Sequence, residues 1–140
     1  ELIDVAVEAG CDAVKFQKRN IDSVYSKKLL DSYRESPWGT TQREQKMGLE
    51  FNKEEYQEID EYCKTKNIEW FASAWDLKSQ LFLREFDCKY NKIASAMIVH
   101  EELLKMVDRL VWVEQGKVII DGPRDKVMET LSGKKEALDE

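Results

Sequence analysis

The sequence predicts an α/β fold built on parallel strands, with a switch to antiparallel structure near its end. Three observations carry this. Amphipathic helical segments alternate with short apolar, strand-like runs three times between residues 2 and 107. The connections between the runs are long enough for the crossovers that parallel pairing requires. Then "DRLVWVEQGKVIIDG", residues 108–122, reads as two strands joined through Glu114, Gln115 and Gly116, a hairpin signal with glycine in the left-handed position. Alternation alone leaves two architectures open, a barrel and a doubly wound sheet.

Leu2, Ile3, Val5, Ala6 and Ala9 lie mostly on one helical face, and Gly10 is placed to cap that helix. "DAVKFQ" (12–17) follows as the first strand. Residues 18–52 are polar and poorly periodic, and Pro37 and Gly39 break structure, so a long functional loop or lid is expected. Asn52 can cap a helix over "NKEEYQEIDEYCKTKN", whose Tyr56, Ile59, Tyr62 and Cys63 form a core face. "IEWFAS" (68–73) is the second strand, and Asp76 caps the helix "LKSQLFLREF". "YNKIAS" (90–95) is the third strand and "HEELLKMV" begins another helix. After the hairpin, "GPRDKVMETLSG" predicts a turn and a short helix closed by Gly133, and "KKEALDE" a frayed polar tail.

Apolar residues make up 42% of the 140-residue chain, enough for a packed core. The net charge of -6 argues against a nucleic-acid footprint, which needs a basic face. No apolar run approaches the ~20 residues of a membrane-spanning helix, so no membrane partner is expected. "ELIDVAVEAG" is not a signal peptide, and its direct entry into a helical pattern without Met predicts that the start is missing. Cys11, Cys63 and Cys88 have neither CxxC nor Cys/His spacing, which predicts reduced thiols in a cytoplasmic protein rather than disulfides or a metal centre.

The chemistry is expected at the carboxyl ends of the strands, where α/β folds bind ligands. Alternation puts Val14 and Phe16 on one face of the first strand and Ala13, Lys15 and Gln17 on the other. Lys15 then either faces a ligand or snorkels to solvent from the strand end. The third strand repeats the feature, with Lys92 and Ala94 opposite Ile93 and Ser95 just past the end. The second strand finishes with Ser73. Two strand-borne lysines with hydroxyls beside them suit a phosphate or carboxylate.

"ELIDVAVEAGCDAVKFQ", "SPWGTTQREQK", "FNKEEYQEIDEYCKTKNIEWFASAWD" and "NKIASAMIVHEELLK" together resemble the N-acetylneuraminate (sialic acid) synthase family, collinearly over about residues 1–105. The resemblance implies a partial (β/α)8 TIM barrel. It implies condensation of phosphoenolpyruvate with an N-acylated amino sugar such as N-acetylmannosamine, with release of phosphate. It also implies a divalent metal, manganese or magnesium, whose ligands are not in this chain, and a homodimer. Carried over by motif, Lys15 would contact phosphoenolpyruvate and Gln17 the sugar. Ser73 matches a hydroxyl at a strand end, here in "ASAW". Lys92 and Ser95 would hold the phosphate and carboxylate, so Lys15 and Lys92 are the catalytic candidates. Ala96 and Met97 stand where the family often has Gly-Glu, which leaves the sugar's identity open. His100 is expected to cap or lie at the surface rather than to bind metal.

Residues 106–140 resemble instead the C-terminal end of an ATP-binding cassette transporter ATPase, without a GxxxxGK[ST] or any other ATP-binding motif. Two segments are therefore expected, 1–105 and 106–140, in a chimeric chain. The alternatives to a synthase-like activity are a catalytically inactive chimeric fragment and a transporter-associated fragment.

Overall fold

The computed structural model describes the backbone of residues 1–136 and the side chains of residues 1–130. The chain forms two compact units, Glu1–Ile98 and a second that begins at Val99.

In the first unit, helix α1 (Leu2–Glu8) ends at Ala9, with Gly10 beyond it at φ 74° as a left-handed cap residue requires. Strands β1 (Ala13–Lys18), β4 (Glu69–Ala74) and β5 (Lys92–Ile93) make a three-stranded parallel sheet in the order β1-β4-β5. The helices α5 (Lys53–Thr65) and α6 (Leu77–Leu83) lie between these strands in sequence, as parallel crossovers demand. Asn52 caps α5 in a reciprocal capping box with Glu55, and Asp76 caps α6 through the Ser79 amide. β5 is shorter than the run 90–95 suggests, because the chain turns into a 3-10 helix at Ser95–Met97.

One face of the sheet packs on the helices. Val14, Phe16, Trp70, Ala72 and Ala74 join Tyr56, Cys63, Leu83 and Phe86 in the core. Tyr56 sits at its centre, fully buried, with the rings of Phe16, Phe51, Trp70, Phe82 and Phe86 at centroid distances of 5.4–6.4 Å.

Of residues 18–52, expected as a loop, Lys18 completes β1 and the rest is a folded insertion. It contains α2 (Ile21–Val24), α3 (Lys27–Leu30), the antiparallel pair β2 (Tyr33–Ser36) and β3 (Gly39–Thr41), and α4 (Gln42–Gly48). These elements are too short to show periodicity, and side-chain caps from Asn20, Ser26 and Thr41 hold their starts. Trp38 lies directly over Gly48, where a Cβ would fall 2.1 Å from the indole. The insertion is closed at its base: Glu50 accepts from Arg19 Nε at 2.6 Å and from its backbone amide at 3.1 Å, and the carbonyl of Phe51 accepts from Lys18.

In the second unit, α7 (Glu101–Leu104) precedes the hairpin of β6 (Arg109–Glu114) and β7 (Lys117–Pro123). The connection is a two-residue turn, Gln115 and Gly116, both at positive φ (49° and 74°), rather than a three-residue loop. Arg109 pairs with Asp121 across the hairpin through two hydrogen bonds of 2.8 and 2.7 Å. α8 (Arg124–Glu136) runs through Gly133, which therefore does not close it; the rest of the expected frayed tail, 137–140, lies outside the described residues. No helix among the described residues is long and apolar enough to cross a membrane.

Candidate functional site

Parallel register decides which predicted residues meet. Gln17 pairs with Ser73, and Ser73 pairs with Lys92, so the three stand in one row across β1, β4 and β5. Lys15 lies one pleat deeper, opposite Phe71. Because alternate residues share a face, Lys15, Gln17, Phe71, Ser73 and Lys92 project from the side opposite the aromatic core. Adjacent strands are about 4.8 Å apart, so Gln17 and Lys92 are separated by about 10 Å at the backbone, within reach of one small polyanion through their side chains. Lys15 and Gln17 are exposed, Lys92 is half-buried and Ser73 is buried. Among the described residues neither Lys15 nor Lys92 is ion-paired, so both ammonium groups are available to an anion. Ser95 is exposed and opens the 3-10 helix past β5, outside the row but at the same end of the sheet.

The rim is rigidly built. The carboxylate of Asp76 accepts from the Asn20 amide at 2.7 Å, from the Ser79 hydroxyl at 2.6 Å and from the Ser79 amide at 2.9 Å, tying the exit of β1 to the start of α6. The hydroxyl of Tyr56 donates to the carbonyl of Gln17 at 3.0 Å, which fixes the backbone from which the Gln17 side chain departs. Lys18, on the helix side, stacks its ammonium 4.8 Å from the Phe82 ring centroid and 5.5 Å from that of Tyr56, and burial lowers its pKa. Burial also works against the charge of Arg19, but the Glu50 carboxylate outweighs it and holds the guanidinium pKa above its ordinary value.

Sequence reasoning did not single out three neighbours of this site. Phe71 shares the face of Lys15, and its ring meets Tyr90 at 6.1 Å. Trp75, just past β4, has a buried indole N–H with no hydrogen-bond partner among the described residues, and its amide donates to the Lys18 carbonyl at 3.2 Å. The alternation that placed Lys15 and Ser73 also reaches Phe71 and Trp75, but an aromatic in an apolar strand reads as core.

His100 is exposed at the start of α7 and its side chain makes no capping hydrogen bond. Among the described residues no group of three or more His, Cys, Asp or Glu side chains is arranged to hold a metal ion. The residues present thus do not form a site for the divalent metal that the family resemblance implies. Cys11, Cys63 and Cys88 are free thiols, and burial pushes that of Cys88 up to about 11.

A model of the NeuB family matches residues 2–120. The chain is 35% identical over 112 residues to an N-acetylneuraminate-9-phosphate synthase of Drosophila melanogaster, covering 79% of this chain and 30% of that protein. It is 33% identical over 96 residues to the human N-acetylneuraminate-9-phosphate synthase, covering 67% and 27%. It is 32% identical over 108 residues to an N,N'-diacetyllegionaminic acid synthase of Legionella pneumophila, covering 75% and 30%. The chain thus spans about 30% of the length of these relatives.

Proposed function

The chain belongs to the NeuB family, and on that footing we propose that it is the phosphoenolpyruvate-binding portion of a sialic acid synthase-type enzyme in carbohydrate biosynthesis. The observation that carries the reading is the row Gln17–Ser73–Lys92, with Lys15 beneath it, at the carboxyl end of a parallel sheet. Phosphoenolpyruvate is a compact anion with a carboxylate at one end and a phosphate at the other. Lys15 and Lys92 supply two point charges to it, and Ser73 and Ser95 short hydrogen bonds to its oxygens. Gln17 offers both a donor and an acceptor to the hydroxyl and amide groups of the sugar.

In the reaction, the enol carbon of phosphoenolpyruvate attacks the aldehyde carbon of the amino sugar, a C–C bond forms, water is consumed and phosphate leaves. The lysines act by fixing the anion and its orientation toward the aldehyde and by balancing the charge that collects on the departing phosphate. The three strands are read as consecutive strands of a (β/α)8 barrel, with this face turned to its interior. The whole enzyme is read as a cytoplasmic homodimer. Its relatives carry names of both phosphorylated and unphosphorylated products, which leaves the sugar open. The family match reaches through β6 into β7; a transporter-ATPase origin for residues 106–140 rests on the sequence resemblance alone.

The test is a titration of the chain with phosphoenolpyruvate followed by 31P NMR, alongside Lys15→Ala and Lys92→Ala. Saturable binding that weakens about tenfold or more in either variant supports the assignment. Equal binding by the wild type and both variants refutes it. Phosphate release from phosphoenolpyruvate with N-acetylmannosamine and manganese, lost in Lys92→Ala, separates an active chain from an inactive fragment.

A further inference from the structure

The hairpin of the second unit is apolar on both faces. β6 carries Leu110, Val111, Trp112 and Val113 in succession, and β7 carries Val118, Ile119 and Ile120. A ribbon that keeps one face in water alternates apolar with polar residues; unbroken apolar runs belong to strands covered on both sides. Here only one side is covered. Leu110, Trp112, Ile120 and Gly122 are half-buried on the side of α8, whose fully buried Val127 lies 3.9 Å from where a Cβ on Gly122 would stand. Val111, Val113, Val118 and Ile119, the last unpaired in a bulge, are 41–62% exposed, and among the described residues nothing covers them.

Charge frames this patch. At the open end of the hairpin Arg109 pairs with Asp121, and both remain exposed. At the turn end Glu114 stands opposite Lys117, and both are exposed. From Arg109 to Glu114 to Lys117 to Asp121 the signs run plus, minus, plus, minus around a rectangle. A two-fold axis in the plane of the face, along the strands or across them, sets every corner over one of opposite sign. A diagonal axis sets like over like. The pattern is complementary to itself, so a second copy brings both an apolar partner and the matching charges.

We propose that the open face of the β6–β7 hairpin seats the same face of a second copy of this chain. The result is a two-fold sandwich of hairpins, each backed by its own α8, with the sheets about 10 Å apart. Burial of the valines and Ile119 drives association, and the four charges fix the orientation. Eight residues per copy fall well short of the ~20–30 a side of a standard interface, so the dimer is weak, with a Kd of about 1–100 μM. The inference concerns the second unit alone and does not depend on the synthase-type reading.

The test is analytical ultracentrifugation of the full chain from about 1 to 500 μM, a range that brackets that Kd. The expected result is a reversible monomer–dimer equilibrium that stops at the dimer. Val113→Asp places a carboxylate within the patch and should weaken the dimer about tenfold or more. Lys117→Glu sets like charges together in either orientation and should weaken it about threefold or more, while Lys117→Arg should leave it unchanged. Circular dichroism of each variant checks that it is folded; if Val113→Asp is not, the exposed Lys117 decides alone. A monomer throughout the range, growth beyond the dimer as pairing through the free strand edges would give, or a dimer that tolerates either substitution in its folded form would each overturn the proposal. Phosphoenolpyruvate binding, followed alongside, bears only on the synthase-type reading.

Discussion

Replacing Tyr56 by alanine should destabilise the N-terminal unit by about 3–5 kcal/mol, and replacing it by phenylalanine by only about 1 kcal/mol. The difference follows from what the side chain touches. The ring is fully buried among five other aromatic rings, so truncation removes both transfer energy and packing and leaves a cavity at the centre of the core. Phenylalanine keeps the ring and loses one hydrogen bond, from the hydroxyl to the Gln17 carbonyl at 3.0 Å. That hydrogen bond is only partly buried, so water can partly replace the lost donor and the cost stays at the low end. Urea unfolding followed by tryptophan fluorescence measures both. With a slope of about 1–3 kcal/mol per molar, the alanine variant should lose about three to five times as much in midpoint as the phenylalanine variant, whose shift is about 0.3–1 M. If the two variants lose the same amount, packing is not what Tyr56 contributes and the account of the core is wrong.

Asp76→Ala removes the α6 cap and the acceptor for the Asn20 amide together, so a loss of about 1–2 kcal/mol is expected by urea unfolding, with Asp76→Asn recovering part of it. Gly48→Ala puts a methyl group into the Trp38 indole; about 1–3 kcal/mol of strain, or a displaced ring visible as a red-shifted emission, should result, and an unchanged spectrum with unchanged stability would contradict the contact. The Cys88 thiol is held neutral by burial, its pKa raised to about 11 from the ordinary 9. Its contribution to stability is therefore complete below about pH 9 and lost as pH rises toward 11, and thermal midpoints should fall across that window less steeply in Cys88→Ala. At pH 8.5 iodoacetamide should label exposed Cys11 at least tenfold faster than Cys88, as mass spectrometry of the peptides would show.

The parallel sheet was legible because each strand is short and apolar and helices lie between the strands, and the caps of α5 at Asn52 and α6 at Asp76 form as the residues suggest. The site row was legible in part: alternation assigns Lys15, Gln17 and Lys92 to a face, but only the register of β1, β4 and β5 brings Gln17, Ser73 and Lys92 level. Register between parallel strands depends on crossover packing far away in sequence, and no local pattern encodes it. The insertion was misread for a different reason. Elements of three to seven residues carry too few side chains for a period to emerge, although "TTQRE" holds a capping-box signal, Thr41 with Glu44, that marks a helix start. Arg19 and Lys46, which share the Tyr25 ring, come from separate segments, so only the fold assembles them.

The closure of the insertion by Arg19 and Glu50 has a consequence for the route by which the chain folds. β1 can pair with β4 only after all the residues between them have been drawn into one large loop, a slow, non-local event. Contact between Arg19 and Glu50 ties off the insertion as a side loop and leaves little more than a third of the chain between β1 and β4 to be closed. By loop-closure entropy that is worth about 0.9 kcal/mol to the later step. The insertion thus behaves as an early-forming knot in the conformational search. Its kinetic signature is a Glu50→Gln chevron displaced mainly on the folding limb; displacement of the unfolding limb alone would show that the latch forms late.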